Sequence, residues 1–83
     1  MTKQLFLMDE LSLDQLTSLR AELRMIASEW RMCMARMNRT SQRCSEVHFR
    51  LDPLSREAEK HVLASQALVE QVDHMINEKA RQP

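Results

Sequence analysis

The chain has 83 residues, with no Gly, no Tyr, two Pro and two Phe, which leaves it without the φ > 0 turns and the aromatic strands of a sheet protein. Twelve basic and twelve acidic side chains cancel, so no overall field draws the molecule to nucleic acid or to anionic lipid. A chain this short buries a modest core and often relies on a partner or a second copy. The expected class is all-α.

Residues 1 to 11 read as a short arm. Its apolar run, Leu5 to Met8, is too short for a signal-peptide core, and no run reaches membrane-spanning length. A cytoplasmic protein is expected, with Cys33 and Cys44 reduced. Eleven residues separate the two cysteines, about 16 Å along a continuous helix, too far for a disulfide.

Ser12 with Gln15 three positions on forms a capping-box pattern, which satisfies backbone N–H groups at a helix start. Leu11 and Leu16 fit the accompanying hydrophobic staple, and Asp14 suits the positive end of the helix dipole. From there Leu16, Leu19, Leu23, Ile26, Trp30, Cys33, Met37, Thr40, Cys44, Val47 and Leu51 follow one another at alternating spacings of three and four. Such a stripe is the seam by which one helix packs on another, in coiled-coil fashion. The first helix is therefore expected over about 12–49.

At Asp52-Pro53 the aspartate can cap a new helix and the proline suits its first position, which predicts a turn at 50–54. A second helix over about 54–79 shows Leu54, Ala58, Val62, Ser65, Leu68, Val69, Val72, Met75 and Ile76 on one broad face, wide enough for bundle packing. The tail is 81–83. The result is a helical hairpin forming one domain over 12–80. Two alternatives stay open. The heptad phase runs through Pro53, which allows one kinked rod, and the weak helix formers Asn38, Thr40 and Ser41 allow an earlier break and three helices.

With its turn at 50–54, such a hairpin has unequal arms. Folded back, the second helix reaches only about residue 25 at 1.5 Å per residue. That leaves Leu13, Leu16, Leu19 and Leu23 without cover, a patch that soluble monomers seldom expose. The arm at Leu5 to Met8 can cover part of it; a second copy or another protein is the stronger candidate. One flank of the seam reads Gln15, Glu22, Glu29 and then Arg36, Arg43, Arg50, an acid-to-base polarity that suits antiparallel self-pairing, although a solvated face accounts for it equally well.

The residues expected to bind a partner are Leu13, Leu16, Leu19, Leu23, Ile26, Trp30, Met34, Met37, Leu68, Val72 and Met75. Trp30 lies among Met25, Met32, Met34 and Met37, and flexible Met around an aromatic anchor suits an adaptable interface as well as an ordinary core. Cys44, His48 and His61 carry zinc-ligand chemistry, but no CxxC or HxxxH pair or fourth ligand accompanies them, so no metal, cofactor or small-molecule substrate is expected. No nucleophile with its base, carboxylate dyad or Gly-rich phosphate loop is present, which points away from an enzyme.

Arg31, Arg36, Arg39, Arg43 and Arg50 oppose a lone Glu46 between residues 30 and 50. This local excess supports a second reading, a dimeric nucleic-acid-binding regulator. The segments on either side each carry a net charge of minus two, so nucleic acid is not the first expectation. An inhibitor of a host protein, of the kind phages encode, is a third.

Leu51-Asp52-Pro53-Leu54 followed by Ala58, Ala64, Ala67, Leu68, Val72 and Ile76 resembles the small co-chaperones of type III secretion needle proteins, over the C-terminal forty or so residues. The resemblance implies a helical hairpin that binds a larger chaperone subunit and keeps an aggregation-prone needle subunit soluble. Its docking faces would be the second helix and the leucine-rich end of the first. The first helix is longer than such hairpins need, and the Met-rich segment departs from their pattern. The reading that stands beside the resemblance is a non-catalytic module that dimerises or captures a partner's amphipathic helix.

Overall fold

A computed structural model describes residues 7–82, which form an all-α helical hairpin. A 3-10 turn at Met8–Glu10 leads into α1, Leu13–Ser41, and α2 follows at Ser45–Arg81. Leu5 and Phe6 of the expected arm, and Pro83 of the tail, lie outside the described residues.

α1 starts where its capping box places it. The Gln15 backbone N–H donates to Ser12 Oγ at 3.2 Å, and the Ser12 N–H donates to Gln15 Oε1 at 2.8 Å. The helix ends within a run of weak formers. Asn38, Thr40 and Ser41 prefer caps and turns, and the Thr40 hydroxyl donates to the Arg36 carbonyl at 2.9 Å. Gln42, Arg43 and Cys44 make the turn, held by Gln42 N–H to Asn38 O at 3.2 Å and Arg43 N–H to Thr40 O at 3.1 Å. No described residue has positive φ, so the connection is made without glycine.

The turn at 42–44 corrects the expected one at 50–54. Pro53 is instead the ninth residue of a continuous α2. It removes one backbone donor and crowds the preceding turn, a cost of roughly 3 kcal/mol in a helix interior. Two features oppose that cost. An ion pair between Arg56 and Asp52, 3.0 Å, spans the proline on the helix surface. More decisively, the earlier turn gives α2 the length to run beside the whole of α1, down to a hydrogen bond from Lys79 Nζ to the Leu11 carbonyl. Most of the leucine end is covered: Leu16 is fully buried and Leu19 and Leu23 are half-buried, while Leu13 stays exposed. The earlier break that Asn38, Thr40 and Ser41 allowed is the one found, without the short middle helix expected to follow it, and the two-helix path excludes a single rod.

The seam between the helices is rotated from the expected stripe. In α1 the shielded positions are Leu16, Leu19, Arg20, Leu23, Ala27, Trp30, Met34, Met37 and Ser41. Leu16, Leu23, Trp30 and Met37 were expected; Leu19, half-buried at the edge of the seam, and the exposed Ile26, Cys33 and Thr40 lie to one side. In α2 the seam runs through Val47, Leu51, Ser55, Ala58, Val62, Ser65, Val69, Val72, Ile76 and Lys79, with Asp52, Gln66, Asp73 and Met75 half-buried at its edges, and it continues across Pro53. Ala27, Ala58 and Ser65 are small and buried, so the backbones can approach closely along the middle of the seam. The Ser65 hydroxyl donates to the His61 carbonyl at 2.7 Å, which satisfies the one buried polar side chain among the described residues. Arg20 reaches Asp73 at 2.6 Å and Arg24 reaches the same carboxylate at 3.8 Å.

The molecule measures 58 × 33 × 14 Å. Its least dimension is little more than one helix diameter, so the hairpin is a single layer of structure. Among the described residues five apolar side chains are buried: Leu16, Ala27, Ala58, Val62 and Val72.

Candidate functional site

A single layer has two broad sides, and the helical repeat gives them opposite character. On one side the positions next to the seam are Leu19, Ile26 and Cys33 from α1, and Leu54, His61, Leu68 and Met75 from α2, each set recurring every seven residues. On the other side Arg24, Arg31, Gln66 and Glu70 line a cleft over Ala27 and Val69, close to the Arg20 and Arg24 pairing with Asp73.

The centre of the apolar side is a shallow cleft of about 240 Å³ lined by Trp30, Cys33, Met37, Leu54, Glu57, Ala58 and His61. The Trp30 indole stacks on the His61 imidazole, ring centroids 4.5 Å apart and planes 19° from parallel. That contact joins the two helices at mid-length and holds a large, half-buried aromatic surface at the cleft. Ile26 and Leu68 are each 41% exposed, and Leu54 is 57% exposed, so substantial apolar area surrounds the stack.

The residues expected to bind a partner separate into groups. Leu16 and Val72 belong to the intrachain core and present no surface. Leu19, Ile26, Leu68 and Met75 flank the seam on the apolar side, with Trp30 and Met37 at its edge, while Leu23 and Met34 face α2 and Leu13 is exposed near the start of α1. The expected methionine cluster divides: Met34 and Met37 are half-buried, whereas Met25 and Met32 are more than 60% exposed on the far surface of α1. Cys33, Leu54 and His61 belong to the apolar side although they were not among the expected partner residues. Their spacing of seven from Ile26 and Leu68 is the sequence signal that marks them.

The flank of alternating charge is shorter than expected. Glu22, Glu29 and Arg36 follow one rim of α1, but Arg43 falls in the turn and Arg50 lies on α2, 3.8 Å from Glu46. His61 stacks on Trp30 at mid-length, and His48 lies edge-on to Phe49. No three His, Cys, Asp or Glu side chains gather as metal ligands among the described residues. Cys44 is exposed at the start of α2, where the backbone N–H groups of Val47 and then Glu46 favour its thiolate and hold the thiol below its ordinary pKa. No described helix is long and apolar enough to cross a membrane.

No family model, no curated protein and no solved structure matches this chain. The geometry therefore carries the functional reading alone.

Proposed function

We propose that the chain is a non-catalytic protein–protein interaction module, working in the cytoplasm, whose apolar side receives amphipathic helices. The observation that supports it is the single-layer hairpin with one polar and one apolar side. Stable domains set at least two layers around a core, and this chain supplies one. A helix or helix pair laid along Ile26, Trp30, Leu54 and Leu68 would complete the second layer through heptad packing of coiled-coil type. Trp30 is the anchor, since a large aromatic beside a cleft is where interface energy concentrates. A chaperone or adaptor role fits this face. The segment resembling needle co-chaperones, Leu51 to Leu54, is uninterrupted helix here, so the likeness rests on the shared hairpin form and the aliphatic α2.

A photo-crosslinking amino acid placed at position 26, in cells expressing the full chain, tests the reading, with the same group at position 63 on the outer surface of α2 as the control. Adducts to protein from position 26 and none from position 63 are expected. Absence of any adduct from position 26 overturns it.

A further inference from the structure

We infer that the occupant of the apolar side is a second copy of this chain, and that two hairpins stack face to face as an antiparallel four-helix assembly. The inference rests on the preceding reading of the apolar side as an interface and names what fills it.

Three observations carry it. The first is area. A compact monomer of this mass exposes about 5,200 Å², whereas this chain exposes 6974 Å². The excess of about 1,800 Å² belongs to the flattened molecule as a whole, and covering one of its two broad sides removes area of the order that each partner contributes to a standard interface, roughly 800 Å². The second is one-sidedness. With apolar surface beside the seam on a single side, pairing two copies by a twofold axis covers it in both at once and turns the side of Arg24, Arg31 and Glu70 outward, while Met25, Met32, Phe49 and Leu63 stay exposed on the outer surfaces of the helices.

The third is charge. Glu29 and Arg36 sit one heptad apart on the α1 rim of the apolar side, and neither has an ion-pair partner among the described residues. A twofold axis crossing the helices midway between them stacks α1 on α1 of the second copy, running the other way. Glu29 then meets Arg36 of the second copy twice over. Stacking α1 on α2 of the second copy would instead set Arg36 level with Glu57, a carboxylate already beside Lys60, and leave Glu29 opposite Ala64 without a partner, because Trp30 is level with His61 and Arg20 with Asp73.

Cys33 falls beside the midpoint of that axis and is exposed on the same side. Antiparallel helices 8–10 Å apart would hold the two Cys33 Cα atoms about 4–6 Å from each other. The full chain carrying Cys44→Ser is the material for the test. Light scattering after size exclusion across the micromolar range is expected to give twice 9.8 kDa, and bismaleimidoethane is expected to join Cys33 to Cys33 in near-complete yield. Arg36→Glu should raise the dimer dissociation constant by roughly 3- to 10-fold, and Glu29→Arg with Arg36→Glu should return it to within about twofold of the parent. Circular dichroism checks that these rim variants keep their helix content.

A monomer throughout the range overturns the inference, and so does a dimer that fails to cross-link at Cys33 or fails to recover on charge exchange. A monomer that still forms adducts with a different protein from position 26 removes the second copy and keeps the interaction face. Loss of those adducts removes both.

Discussion

Replacing Pro53 by Ala should stabilise this protein, and the sign of the effect separates two folds. In α2 the proline is eight residues past the first helical position, where Pro is roughly 3 kcal/mol less favourable than Ala. Part of that difference does not apply here. Phe49, whose carbonyl lacks its usual donor, is 79% exposed, so water can satisfy it in place of a hydrogen bond worth about 0.5–1.5 kcal/mol net. Alanine also frees the unfolded chain, by about 0.4–1 kcal/mol. The net gain is about 0.5–2 kcal/mol, and with 4–8 °C per kcal/mol for a domain of this size the melting temperature should rise by roughly 2–16 °C. Thermal melts followed by circular dichroism, at one fixed protein concentration because self-association shifts the midpoint, give the answer. At the start of a helix Pro is favourable, so an unchanged or lower melting temperature would place a turn at 50–54 and refute the continuous α2.

Leu16→Ala removes a side chain with no exposed area and should cost 2–5 kcal/mol, read from urea midpoints; a loss below about 1 kcal/mol would mean that α2 does not cover the start of α1. Asp73→Ala leaves Arg20 and Arg24 without their shared partner and should cost about 0.2–1 kcal/mol, a difference that shrinks as salt is added; a cost independent of salt would point to packing instead of charge. Cys44 should react with iodoacetamide faster than Cys33 near neutral pH, with its rate profile displaced to lower pH. The folded state favours the Cys44 thiolate, so the associated stabilisation is present above the ordinary thiol pKa and fades as pH falls through the lowered one. Equal rates in the folded protein, as expected after unfolding in urea, would remove the effect of the helix start.

Local signals were legible where the deciding contacts are local. Ser12, Gln15 and Asp14 mark the start of α1 because a capping box is closed by residues three apart. The all-helical class follows from a chain without Gly or Tyr and with heptad spacing throughout. The choice between two breaks was not legible. Asn38, Thr40 and Ser41 disfavour helix mildly and Pro53 disfavours it strongly, so local propensity favours the wrong one. The outcome depends on covering Leu16, Leu19 and Leu23 with Val69, Val72 and Ile76, a benefit collected some fifty residues away in sequence. The seam was half legible for a related reason. Counting apolar residues selects Leu19 and Ile26, whereas close packing selects Ala27, and Arg20 is drawn inward by Asp73, 53 positions further on. The apolar side of the hairpin is what remains when the larger hydrophobes are left outside that seam.

Trp30 is the sole tryptophan of a chain without tyrosine, and it lies at the middle of the apolar side against His61. Nature has thereby placed the one strong fluorophore at the spot where docking would be felt. Emission from the native chain reports the polarity of that spot and little else, while far-ultraviolet dichroism reports the helices. The two signals can be followed in one cuvette without any label, and a change in colour at constant helicity would mark occupation of the surface as an event separate from folding.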